Sequence, residues 1–216
     1  MDLGDAWRQD ERFDLLFGSG LPVPRGFRIY GGHSRAGWRY RVGDKLRNEL
    51  SLSADGDDIS ALAEVPVNGL WRLECRYRRV TDDDFDLIAR FDSLEELDLS
   101  HTKITDRATL RMHTLQKLRI LRLGSCAITD AALEHLVALR SLEELDVCNS
   151  RVTAKGLPAL AFHPALRIIN LRDTPVTGAQ LGALTTIPHL RELRLDGRQK
   201  HRTHDFAAQR PDVVIL

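Results

Sequence analysis

Apolar residues return along this chain at a fixed interval. From position 69 to position 212 the sequence divides without a gap into blocks of 24 residues, starting at Gly69, Ser93, Lys117, Ser141, Ala165 and His189. The second position of every block is leucine: Leu70, Leu94, Leu118, Leu142, Leu166 and Leu190. The fifth reads Leu73, Leu97, Leu121, Leu145, Ile169 and Leu193, and the seventh Cys75, Leu99, Leu123, Val147, Leu171 and Leu195. Apolar residues alternating with polar ones over such a short span predict a strand with one buried face. Position 12 is Val80, Ile104, Ile128, Val152 and Val176, and position 13 is Thr81, Thr105, Thr129, Thr153 and Thr177; both columns fail in the last block, at Lys200 and His201. Threonine at this place, followed by Asp82, Asp106 or Asp130 in the first three blocks, predicts helix N-termini. Helical spacing comes next. It is clearest at Leu133, Leu136 and Leu139, and Leu157 with Leu160 and Leu181 with Leu184 repeat part of it.

One strand and one helix bury too little surface to stand alone, whereas stacked copies cover one another. The predicted fold is therefore α/β, a solenoid with a parallel inner sheet and outer helices. The segments "LEELDLSHTKITD" and "LRILRLGSCAITD" resemble the leucine-rich repeats of the 24-residue bacterial variety. The resemblance implies a horseshoe whose concave sheet binds another protein, and it brings no shared catalytic residues. In that family position 10 is a small polar residue that satisfies backbone groups in the turn. Here it reads Thr102, Cys126, Ser150 and Thr174 in the inner blocks, but Arg78 and Arg198 at the ends.

Outside the repeats at 69–197, the pattern thins. Residues 198–216 read as a C-terminal cap, with Val213 to Leu216 suited to a last strand. Residues 46–68 read as a degenerate repeat, Leu50 and Leu52 standing at positions 5 and 7 and Leu62 and Val65 on its helix. Residues 1–45 read as an N-terminal cap, in which 27–42, "FRIYGGHSRAGWRYRV", is expected to form a β-hairpin behind "DERFDLLF".

Composition narrows the function classes. The 216 residues carry 31 Lys plus Arg and 31 Asp plus Glu, which excludes a globally basic nucleic-acid-coating chain and an acidic disordered one. No apolar run approaches the roughly 20 residues of a membrane span, and the start is acidic and lacks the apolar core of a secretory signal. Three cysteines, Cys75, Cys126 and Cys148, cannot all pair within one chain and suggest a reducing compartment, so a cytoplasmic location is expected. Cys148, at position 8, is the thiol expected to be accessible. His201, His204 and Asp205 have a spacing that can suit a metal, but read as a solvated cap; no cofactor or metal is expected.

The concave face carries positions 3, 4, 6, 8 and 9. Positions 3 and 6 alternate in sign between blocks, so that Glu95 can meet Arg119, Arg119 can meet Glu143 and Asp98 can meet Arg122 across neighbouring strands about 4.8 Å apart. Ile120 and Ile168 interrupt the charges at position 4. Trp71 and Tyr77, with His101 beside them, put aromatic groups on the first blocks. These residues, together with Arg122, Asp146, Arg172 and Arg194, are the candidate partner-binding set. The expected function is non-catalytic protein binding by a monomer or weak dimer. Alternatives are an inhibitor, immunity protein or regulatory subunit of a partner enzyme, and nucleic-acid binding through the basic, aromatic segment 21–47, which holds Arg25, Arg28, Arg35, Arg39, Arg41, Lys45 and Arg47.

Overall fold

The computed structural model describes residues 59–64, 67 and 70–216, together with the backbone of 27–29, 41–42, 45–46 and 50–54. The 24-residue step is realised as one strand per block: β5 (Leu70–Glu74), β6 (Glu96–Asp98), β7 (Ile120–Arg122), β8 (Glu144–Asp146), β9 (Ile168–Asn170) and β10 (Glu192–Arg194). Neighbours pair in parallel and in perfect repeat register, with Leu97 opposite Leu121, Leu121 opposite Leu145 and Leu145 opposite Ile169. Leucines at positions 2, 5 and 7 are withdrawn from solvent in every block, apart from the cysteine and the β-branched residues that replace them there and are equally buried. The core is a single continuous stack. It is closed on the far side by helices: α1 (Phe85–Ala89), α2 (Asp106–Thr109), α3 (Asp130–Leu136) and α4 (His204–Gln209).

In two blocks the helix is 3-10 rather than α, at Leu157–Leu160 and Gly178–Thr186. Leu157 with Leu160, and Leu181 with Leu184, are buried there, while α3 buries Ala132, Leu133 and Leu136.

At the strand exits the backbone turns by the same device in every block but the last. Tyr77, His101, Ser125, Asn149 and Asp173, all at position 9, have φ between 48° and 63°. The N–H groups of Tyr77, His101, Ser125 and Asn149 donate to the position-8 carbonyl of the next block, so the ladder runs on past the strands. Asparagine, aspartate and histidine tolerate this left-handed region better than most residues; tyrosine does not share that ease.

The ends differ from the expected arrangement in two ways. Leu50 and Leu52 do not stand at positions 5 and 7. The strand β4 (Leu50–Ala54) pairs in parallel with β5, but a register shift after Leu50 puts Leu50 opposite Leu70 and Leu52 opposite Leu73, at positions 2 and 5. Of the hairpin expected within 27–42, residues 30–40 lie outside the described ones, and the described strands are not paired with each other. Instead β1 (Phe27–Ile29) pairs antiparallel with β4, Ile29 lying opposite Leu52, and β2 (Arg41–Val42) pairs with β3 (Lys45–Leu46) in a separate two-stranded ribbon. The reason is the sheet edge. A parallel solenoid ends in a row of unpaired backbone groups at β4, and β1 satisfies them. At the other end β11 (Val214–Ile215) adds in parallel to β10, giving a nine-stranded sheet among the described residues. The segment "DERFDLLF" and Val65 lie outside the described residues, as do the side chains of the basic 21–47 segment.

Candidate protein-binding surface

The sheet's open face, turned away from the helices, is built by positions that the alternation of each strand points outward. Its charges interlock between strands. Arg119 lies 2.9 Å from Glu143 and 3.8 Å from Glu95, and Glu143 also reaches Arg167 at 3.7 Å. A second ladder runs beside it. Arg122 bonds Glu96 at 2.5 Å and approaches Glu144 at 3.6 Å, while Arg194 meets Glu144 at 3.4 Å and Glu192 at 2.5 Å. The hydrogen bond from Arg119 holds the Glu143 carboxyl below the usual carboxylate range. Burial works against the charge on Arg122, but the bond and charge of Glu96 outweigh it and hold the proton more firmly.

The expected meeting of Asp98 with Arg122 is replaced by these glutamate contacts. Asp98 instead accepts the backbone N–H of Ser100 at 2.9 Å. Asp146 does the same for Cys148, and Asn170 for Arg172. Position 6 thus fastens the strand exit two residues on, an Asx-type bond that competes with any ion pair. Asp146 also accepts from the Asn170 side chain at 2.9 Å. The aspartate singled out from the sequence thus accepts two bonds within the sheet.

Ile120 and Ile168 sit half-buried in the second ladder. Glu144 lies between them in register, with Glu96 on the far side of Ile120 and Glu192 beyond Ile168. The structure therefore brings Ile120, Arg122, Ile168 and Arg194 into one patch. Arg172 is exposed one column away, at the strand exits. The aromatic candidates divide. Trp71 is half-buried on β5, while Tyr77 stands at the exit of the same strand, 63% exposed. Tyr77 stacks on His101 with ring centroids 4.3 Å apart, and the Arg76 guanidinium lies 4.9 Å from its centroid. The position-9 column, with its repeated left-handed turn, was missed from sequence; the run of His, Ser, Asn and Asp there was the available signal.

The three cysteines are free. Burial, then the charge and carboxylate of Asp146, push the half-buried Cys148 thiol up to about 12, and burial does the same for Cys75. A thiol so disfavoured as thiolate is a poor nucleophile. Among the described residues no group of three His, Cys, Asp or Glu is placed to hold a metal ion, and no helix is long and apolar enough to cross a membrane.

Residues 93–108 and 114–137 match the leucine rich repeat family. No curated protein sequence matches the chain significantly. Among solved structures the fold resembles an internalin (inlF) from Listeria monocytogenes, at 21% identity and a TM-score of 0.61, covering 77% of this chain and 46% of that one. It also resembles an internalin C2 (inlC2) of the same organism, at 20% identity and a TM-score of 0.53, covering 78% of this chain and 80% of that one. This chain thus spans about half the length of the first of these structures. The repeat, the matched segments and the shared fold together make this protein a leucine-rich-repeat solenoid.

Proposed function

We propose that the protein is a non-catalytic binding module that engages another protein through the open face of its sheet. The observation that carries this reading is the patch of Ile120 and Ile168, half-buried between arginine–glutamate pairs on a broad, regular surface. Apolar anchors ringed by charge are the common plan of a protein interface, the anchors giving affinity and the charges specificity. The Tyr77–His101 stack at the strand exits adds an exposed aromatic group to its margin. Leucine-rich-repeat scaffolds serve protein recognition, and the fold supports the same use here. The three free thiols support a reducing compartment, and we place the protein in the cytoplasm on that ground.

The experiment is to introduce a photo-crosslinking residue at Arg119 or, on the helical side, at Glu134, and to identify what each captures in the native host. Capture is expected from Arg119. Ile168→Glu is then expected to weaken binding of the captured partner by about 2 kcal/mol or more, the scale of a buried anchor. Capture of the same partner from Glu134 alone, with Ile168→Glu silent, would place the interface on the helices.

A further inference from the structure

The open face is balanced in charge but not in what it presents. Arg119 and Arg167 each leave 53% of the side chain exposed, against 20% for Glu95 and 30% for Glu143. In the second ladder Arg122 and Arg194 leave 27% and 28%, against 10% for Glu96 and 16% for Glu144. The glutamates lie low against the sheet and the guanidiniums lie over them. Glu192, at 25%, and Glu74, at 32%, come level with their arginines at the two ends of the face, Arg194 at 28% and Arg72 at 36%. Arg172 and Arg191, both exposed, extend the layer toward the C-terminal blocks, where the exposed Asp173 marks its limit.

The geometry has a chemical consequence. A guanidinium offers five N–H donors in a planar fork, and a carboxylate beneath it occupies one or two. The outward donors remain for a ligand. The glutamates also hold each fork in place before a partner arrives, which lowers the ordering cost of binding. From this layering we infer that the partner's contact surface is acidic, its carboxylates seating on the outer edges of Arg119 and Arg167 while an apolar side chain meets Ile120 or Ile168. The inference rests on the protein-binding reading above and specifies the partner's chemistry. A nucleic-acid strand fits less well. A phosphate backbone carries no apolar side chain for the two isoleucines, whereas a protein surface can set one beside its carboxylates.

The test uses the full chain and three labelled probes: a glutamate decapeptide, a lysine decapeptide and a ten-nucleotide single-stranded DNA. Binding is followed by fluorescence anisotropy at low salt, with circular dichroism and the thermal midpoint confirming that each variant is folded. The glutamate peptide is expected to bind and the lysine peptide not. Arg119→Glu with Arg167→Glu is expected to weaken the glutamate peptide about tenfold or more, and Glu134→Lys on the helical side to leave it unchanged. Preference for the lysine peptide, or a double variant that binds the glutamate peptide as the parent does, overturns the inference. So does tighter binding of the DNA that the double variant abolishes, which makes the face a nucleic-acid site. A host partner captured from Arg119 whose contact surface is neutral or basic also overturns the inference while leaving the protein-binding reading standing.

Discussion

The blocks at 93–140 and 141–188 share one strand plan but close the solenoid differently. From the block at 69 to the block at 117, the aspartate after the helix-starting threonine reaches into the next block. Asp82 accepts both the backbone N–H and the hydroxyl of Thr105, at 2.8 and 2.6 Å. Asp106 does the same for Thr129 at 2.8 and 2.6 Å, and Asp130 for Thr153 at 2.6 and 2.7 Å. The next places in this column are Ala154 and Gly178, and the ladder stops. Thr177 turns instead to Gln180 of its own block. Thr105 and Thr129, held by the ladder, cap α2 and α3, whereas Thr153, which Asp130 also holds, and Thr177 precede 3-10 helices. Gly156, in the block that receives the last of these bonds, packs so close to Asp130 that a methyl group there would lie 2.6 Å from a carboxylate oxygen. The matched family segments fall within the first pair. Blocks that carry an aspartate in this column have α-helices and those with Ala154 or Gly178 have 3-10 helices, while the strand side is indifferent to the difference.

If the strand side is common to both pairs, core truncation should not distinguish them. Leu121→Ala and Leu145→Ala, both fully buried at position 5, are each expected to cost about 2–5 kcal/mol, measured as the shift in urea midpoint. Losses differing by more than the spread within either pair would show that the two regions have separate cores. On the turn side the regions should part. Asp130→Ala leaves Thr153 without its two acceptor contacts and is expected to cost about 1.5–3 kcal/mol, the range for bonds to a charged group. A silent Asp130→Ala would demote the ladder to a surface decoration.

The sequence made the strand side plain because one column, position 5, must be apolar in every block for a parallel stack to close. The turn side was less legible. Thr105 and Asp106 were read as a cap and a favourable charge for one helix, and that is half of their role; the bond from Asp106 to Thr129 spans 23 residues and depends on how the blocks stack. The open face was legible as alternating charge, but Asp98 was given to Arg122 because both stand at position 6. The backbone N–H of Ser100, only two residues away, competes for that carboxylate and wins. Local turn signals favour a hairpin at 27–42, whereas Phe27–Ile29 pairs with a sheet edge formed farther along the chain, which no local signal announces. Arg78 remains at odds with its place: its Nε is buried without a hydrogen-bond partner where inner blocks put a small polar group. At the other end Gln199, not Arg198, takes the turn role, donating to the carbonyls of Leu171, Thr174 and Val176.

A smaller effect separates the regions by pH. His163 stands where the other blocks have Phe91, Leu115, Leu139 and Ile187, and is as deeply buried as they are. Its Nε2 lies 3.2 Å from the Leu139 carbonyl, and its Nδ1 accepts the Leu166 N–H at 3.3 Å, a bond made elsewhere by the backbone carbonyl of that position. Burial, with Arg140 nearby, makes the folded ring harder to protonate than the unfolded one. The unfolded chain therefore binds more protons as pH falls through the ordinary histidine range, and stability drops toward the lower folded value. His163→Leu is expected to cost about 1 kcal/mol at pH 7, for the orphaned Leu166 N–H. It should also flatten the loss between pH 7 and 5 relative to the parent. Parallel parent and variant curves would mean that the ring does not titrate with folding.

The smallest expected effect asks whether the ladder can be extended. Thr177 donates its N–H and hydroxyl to the Gln180 side chain, both at 3.0 Å, so it already has the acceptor that Asp130 gives Thr153. Ala154→Asp offers a second acceptor at the repeat-equivalent place. Alone it exchanges a neutral bond for a charged one and should gain less than about 1 kcal/mol. In the background of Gln180→Ala, itself expected to cost about 1 kcal/mol, the same aspartate becomes the one acceptor available and should restore most of the loss. The cycle of single and double variants reads this coupling directly. Recovery would show that the two regions differ by a side chain, and that the 24-residue step carries one geometry throughout. Absence of recovery would show that the stacking itself changes after Asp130, so that the 3-10 helices of the second pair reflect a different fit between blocks rather than a missing carboxylate.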